Sequence, residues 1–214
     1  MTYLQLVNAV LRRLREDEVT TVDESDYSKL IGDFVNDAKR LVEDAWDWTA
    51  LRTTTTITTA AGTSKYALTG YGVRSKIIQV HNETYNRVVT QQALPFIRNV
   101  ALQTDNAEGT IQYWTIDGTD TNGDSQIRFH MVPSAVETIS VYGVKRTGDL
   151  GLDSDSTLLP VNPIIQWAFS YALRERGETG GQSAAEQAVF AKEDLTNAIA
   201  QDAALHPEET IWNV

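Results

Sequence analysis

The hydrophobic period of this chain changes twice along its length, and that limits its fold more than any other feature. From Tyr27 to Trp46 the apolar residues recur at three and four: Tyr27, Leu30, Ile31, Phe34, Val35, Ala38, Leu41, Val42, Ala45 and Trp46. This is the spacing of one helix face. After Trp48 the chain runs into LRTTTTITTAAG. Its β-branched residues crowd a helix turn and suit a pleated strand. A strand-like period of two then persists to about Arg146, and from Ile164 the helical period returns. Helices, then strands, then helices predict an α+β chain: a helical bundle built from the two ends with an inserted antiparallel β-sandwich or barrel-like module. On this reading residues 1–50 plus 157–206 make the bundle, 51–156 the β module, and 207–214 a C-terminal tail.

Local signals refine that division. Tyr3, Leu6, Val7, Val10, Leu11 and Leu14 mark a first helix capped by Thr2, and Ser25 caps the second. Gly32 inside the second helix costs about 1 kcal/mol against Ala, which a close helix–helix approach would explain. Strands are expected over 52–59, 64–68, 75–81, 85–89, 110–117, 126–132 and 138–145, with a short helix inserted at Leu94–Gln103. Asn162 and Pro163 read as N-cap and first helical residue, and Gly177, Gly180 and Gly181 as a stop and turn. Ser183 then opens an Ala-rich helix that Pro207 ends.

Charge and composition remove several classes of function. The net charge is −11 and there is no cysteine, so disulfides, thiolate metal sites and cysteine nucleophiles are excluded. Residues 1–50 carry six Lys/Arg against eleven Asp/Glu, residues 51–150 nine against eight, and residues 151–214 three against ten. Acidic ends around a neutral centre offer no phosphate-neutralising stripe. The N-terminal sequence shows no signal-peptide pattern and no run long enough to span a membrane, so folding in a cytoplasm is expected.

Candidate chemistry is sparse. His81, His130 and His206 each stand without a ligand or carboxylate at metal spacing; His130 falls on the polar phase of its strand. Asp117, Asp120 and Asp124, and separately Asp153 and Asp155, read as solvated turns rather than calcium loops. No catalytic, cofactor or metal site is expected. Trp46, Trp167 and Tyr171 read as core, while one of Tyr113 and Trp114 must face outward. Beyond the last helix, Ile211, Trp212 and Val214, flanked by Glu208 and Glu209, offer apolar area with few neighbours of their own. They are expected to bind a partner chain, the alternative being a tail folded back on its own bundle.

Three stretches together resemble the head-to-tail adaptor proteins of tailed phages, including the tail tubular A and gatekeeper-type rings. They are LVNAVLRRLRED followed by LIGDFVNDAKRLVEDAWDWTALRTTTTITT, then GLDSDSTLLPVNPIIQWAFSYALRERGE, and the order of helices, β insertion and helices. The resemblance covers most of the chain. It implies a non-enzymatic virion protein of the head–tail junction, assembled in the host bacterial cytoplasm. It further implies a twelve-fold homo-oligomeric ring with portal protein above and tail or nozzle proteins below, through whose channel viral DNA passes without specific binding. The competing expectation is a β-sandwich module for carbohydrate or protein, with Tyr113 or Trp114 as its platform.

Overall fold

The computed structural model describes residues 1–104, 107–177 and 184–206. Gly180, Gly181, Ser183, Pro207 and the tail residues Glu208, Glu209, Ile211, Trp212 and Val214 lie outside them. The class is α+β, with a helical bundle from the two ends of the chain and a barrel-like sheet between them in sequence. The residues divide into two compact units, Met1–Ala50 with Gly148–Val214, and Leu51–Thr147.

The helical unit holds α1 (Tyr3–Arg13), α2 (Asp26–Ala45), α4 (Val161–Arg176) and α5 (Ala184–Ala203). Thr2 and Gln5 form a capping box on α1, Ser25 and Ser28 one on α2, so two otherwise unpaired N–H groups are met at each start. Gly177, in the left-handed conformation at φ 63°, closes α4. The start of α4 differs from expectation: Val161 and Asn162 are already helical and Pro160 is the cap. Pro163 therefore sits inside the first turn, where a missing N–H costs nothing because those donors have no partner within the helix. Helix α4 packs against α1, α2 and α5. The core joins Leu6, Val7 and Val10 with Ile31, Val35 and Val42 and with Ile164, Ala168 and Ala172. A Cβ on Gly32 would collide with the Tyr3 hydroxyl and ring, so glycine is what admits α1 this close to α2.

The segment from Gly148 to Pro160 was expected with the β module as far as residue 156, but it belongs to the helical unit. The Asn36 side chain explains why: its amide donates to the Leu150 carbonyl at 3.1 Å and its oxygen accepts the Leu150 N–H at 2.9 Å. Arg40 adds a two-pronged pair to Asp149, both bonds at 2.8 Å. The Tyr3 N–H donates to the Asp155 carbonyl at 2.7 Å. The segment is a strap over α1 and α2.

The β unit holds β1 (Arg52–Thr58), β2 (Lys65–Ala67), β3 (Lys76–Asn82), β4 (Arg87–Gln91), α3 (Leu94–Gln103), β5 (Glu108–Gly109), β6 (Tyr113–Thr119), β7 (Ser125–His130), β8 (Val132–Pro133) and β9 (Thr138–Val144). Seven strands form one nearly closed sheet in the order β1-β9-β3-β4-β6-β7-β2. Its interior is filled by Leu68, Tyr71, Val80, Ile111, Trp114, Ile127, Phe129, Ile139 and Val141. Pairing in this sheet is antiparallel except between β4 and β6, where Thr90 meets Tyr113 and Gln91 meets Trp114 in parallel. The inserted helix α3 is the reason: parallel neighbours need a crossover, and α3 carries the chain over to β6 and packs on it.

Candidate functional site

Most of the polar residues that stood out in the sequence hold the fold together. Asp117 is drawn inward where the β6–β7 register shifts between Ile116 and Thr119. There it accepts from Arg128 at 2.6 Å and Arg98 at 3.2 Å, with the Lys65 ammonium at 3.8 Å. The Arg128 bond, more than any other influence, holds the Asp117 carboxyl below the usual range. Asp120 accepts the N–H groups of Asn122 and Asp124, and Asp124 accepts that of Gly70. Asp153 accepts from the Val22 N–H at 3.0 Å, and Asp155 from those of Gly151 and Leu152, both at 2.8 Å. These last two bonds hold the Asp155 carboxyl below its ordinary range. Asp155 thus closes a local turn, as expected, while Asp153 also ties that turn to Val22 at the other end of the chain.

The histidines are separated from one another. His81 meets Glu83 at 3.3 Å, and His206 shares a 2.6 Å contact with the Thr49 hydroxyl. His130 corrects the expectation of a polar, surface position: it is buried and lies parallel to the Tyr113 ring across the β6–β7 register, centroids 6.4 Å apart. Burial pushes its pKa down. Trp114 is in the barrel interior, and Tyr113, the outward one of the pair, is met edge-on by Phe96 of α3 at 5.8 Å. Neither ring is an open platform. Trp46 caps α2, half-buried, and donates its indole N–H to Asp202 at 2.9 Å. Among the described residues no group of three or more His, Asp or Glu is placed to hold a metal ion, and no helix is long and apolar enough to cross a membrane.

What the structure does expose is a surface on α2 and α4. The buried residues of α2 are Ser28, Ile31, Gly32, Val35, Asn36, Ala38, Lys39, Val42 and Glu43, a stripe that overlaps the apolar one but is rotated toward the strap. Lys39 and Glu43 are wholly enclosed, 3.7 Å apart, with the Lys39 ammonium donating to the Gly148 carbonyl at 2.8 Å. The rotation leaves Leu30, Phe34 and Leu41 only half-buried. Phe34 meets Tyr171 of α4 edge to face at 6.2 Å, and Tyr171 in turn meets Trp167 at 6.0 Å. Phe34, Asp37, Tyr171, Arg174 and Glu175 line an open cleft of about 620 Å³. Sequence reading assigned Tyr171 to the core and did not single out Asp37, Arg174 or Glu175. The signal available in the sequence is the width of the α2 stripe, whose apolar residues from Tyr27 to Trp46 are more surface than one neighbour covers.

The α+β subunit spends its carboxylates on bracing its own guanidinium and backbone N–H groups, and it keeps an aromatic cleft with a charged rim open between two helices. The model of the SU10 adaptor protein family matches residues 1–208. The chain belongs to that family of phage head-to-tail adaptors and is thus a phage adaptor protein, a structural component of the virion. No curated protein matches the chain.

Proposed function

We propose that this adaptor forms a homo-oligomeric, twelve-fold ring docked under the portal protein, contacts tail or nozzle proteins on its far side, and lines part of the channel through which the genome leaves. The family match over residues 1–208 carries this reading. The charge distribution supports it, since an acidic wall beside a polyanion avoids adhesion that would slow ejection. A net charge of −11 also opposes close approach of identical subunits without a template. The ring therefore assembles on the portal, in the host bacterial cytoplasm, and the free chain is monomeric or weakly associated at physiological salt. Sedimentation with and without portal tests this: a stable large ring without portal, or no binding to portal, overturns it.

The C-terminal segment is the proposed attachment point, with Ile211, Trp212 and Val214 entering a partner surface and Glu208 and Glu209 keeping the approach solvated. Burying an indole and an isoleucine contributes about 3–5 kcal/mol before ordering costs, so firm docking relies on the avidity of a ring. Trp212→Ala is expected to leave the melting temperature of the subunit nearly unchanged and to weaken co-sedimentation with portal. A mutant that melts much lower yet still binds portal would assign Trp212 to the core of its own subunit.

A further inference from the structure

We propose that the α2–α4 cleft of one subunit receives the outer ridge of α5 from a second copy of the chain, and that this contact repeats around the ring. The proposal rests on the ring reading above and names its contact surface. Phe34 and Tyr171 give the cleft an aromatic wall, and Asp37, Arg174 and Glu175 give it a charged rim. Helix α5 supplies the complement. It buries only Gln187, Ala191 and Leu195, about one residue per turn, against its own subunit. Its outward side carries the adjacent pair Val189 and Phe190, 57% and 46% exposed. Lys192 and Glu193 follow three and four residues after Val189, so they project from the same ridge.

The charges select the partner. Among the described residues Arg174, Glu175, Lys192 and Glu193 make no ion pair within the subunit, and Asp37 meets only Arg40 of its own helix, at 3.4 Å. Lys192 is the one Lys or Arg after Arg176 in the whole sequence. Setting the ridge into the cleft places Lys192 beside Asp37 and Glu175, and Glu193 beside Arg174, so four unpaired charges are matched around a buried apolar centre. Cleft and ridge share no residue. The contact is therefore heterologous, and a repeated heterologous contact propagates into a ring or filament instead of stopping at a dimer.

The lack of cysteine makes a clean test available, because any cysteine introduced is the only one. Full-length Asp37→Cys and Val189→Cys chains are mixed at high concentration and oxidised, without portal. A covalent dimer is expected in the mixture, several-fold above either variant alone. Arg174→Glu or Glu193→Arg added to the matching chain is expected to lower that yield roughly tenfold, and the two reversals together to restore it. A yield in the mixture no higher than in the separate variants, or no restoration by the paired reversal, overturns the interface. The same variants are then assembled on portal. A ring that forms without the cross-link disproves this interface and leaves the ring standing. A cross-link in solution with no ring on portal keeps the interface and disproves the ring.

Discussion

At the scale of single residues, the β module depends on a carboxylate and an imidazole in opposite circumstances. Asp117 is charged and paired with two guanidinium groups, so removing it leaves Arg128 without its 2.6 Å acceptor. Asp117→Ala is expected to cost about 2 kcal/mol in urea unfolding, the usual range for a lost charged hydrogen bond. Because the folded carboxyl is depressed, its contribution is complete above the unfolded pKa of about 4 and is lost as pH falls below it. The Asp117→Ala difference should therefore shrink in acid. His130 acts nearer neutrality. Its folded pKa lies below the unfolded value of about 6.5, so on acidification the unfolded chain takes up the proton first. Stability should fall as pH drops through about 6.5 and level off below the folded pKa. His130→Phe, which keeps a ring against Tyr113, should flatten that slope in urea titrations between neutral and mildly acidic pH. An unchanged slope would mean that other groups set it.

At the scale of elements, a close approach of backbones decides the register of the barrel. Gly143 of β9 stands opposite Thr53 of β1 and Ile77 of β3. A Cβ there would lie 2.5 Å from the Lys76 carbonyl oxygen and 2.8 Å from the Tyr71 ring, and a backbone atom cannot swing aside. Gly143→Ala is expected to destabilise the protein by about 2–3 kcal/mol through overpacking. Gly72→Ala, where the added methyl meets nothing within 4 Å, is the control and should be close to neutral by thermal unfolding. Much at this scale was legible beforehand because it is local. Both N-caps, the Gly177 stop and α3 follow from residues within a few positions of one another. Local signals also misled: Asn162 and Pro163 form a good helix start, yet Pro160 set the cap two residues earlier.

At the scale of the molecule, charge separates what the adaptor repels from what it binds. The two ends of the chain together carry −12, and the centre, at +1, brings the net charge to −11. Without a row of cations to displace phosphate counterions, non-specific duplex binding has no electrostatic source. A gel shift at physiological salt is expected to show no complex with the protein in large excess. Sub-micromolar binding with a steep salt slope would contradict this and with it the repulsive-channel reading.

The sequence by itself determined the order of the architecture, the starts of α1 and α2 and the surplus apolar width of α2, since each depends on period or on neighbours a few residues away. Tertiary structure alone decided which side of that width is covered. Asn36 and Lys39 are met by Leu150 and Gly148, more than a hundred positions further along. That strap rotates the buried stripe of α2 toward Lys39 and Glu43 and leaves Phe34 only partly buried beside Tyr171. The turn at Asp153 and Asp155 was legible because Asp155 binds N–H groups three and four residues away, but the tie from Asp153 to Val22 was not, since it spans 131 positions. His130 looked like a surface residue because a period of two reports the face of a strand and not what covers that face.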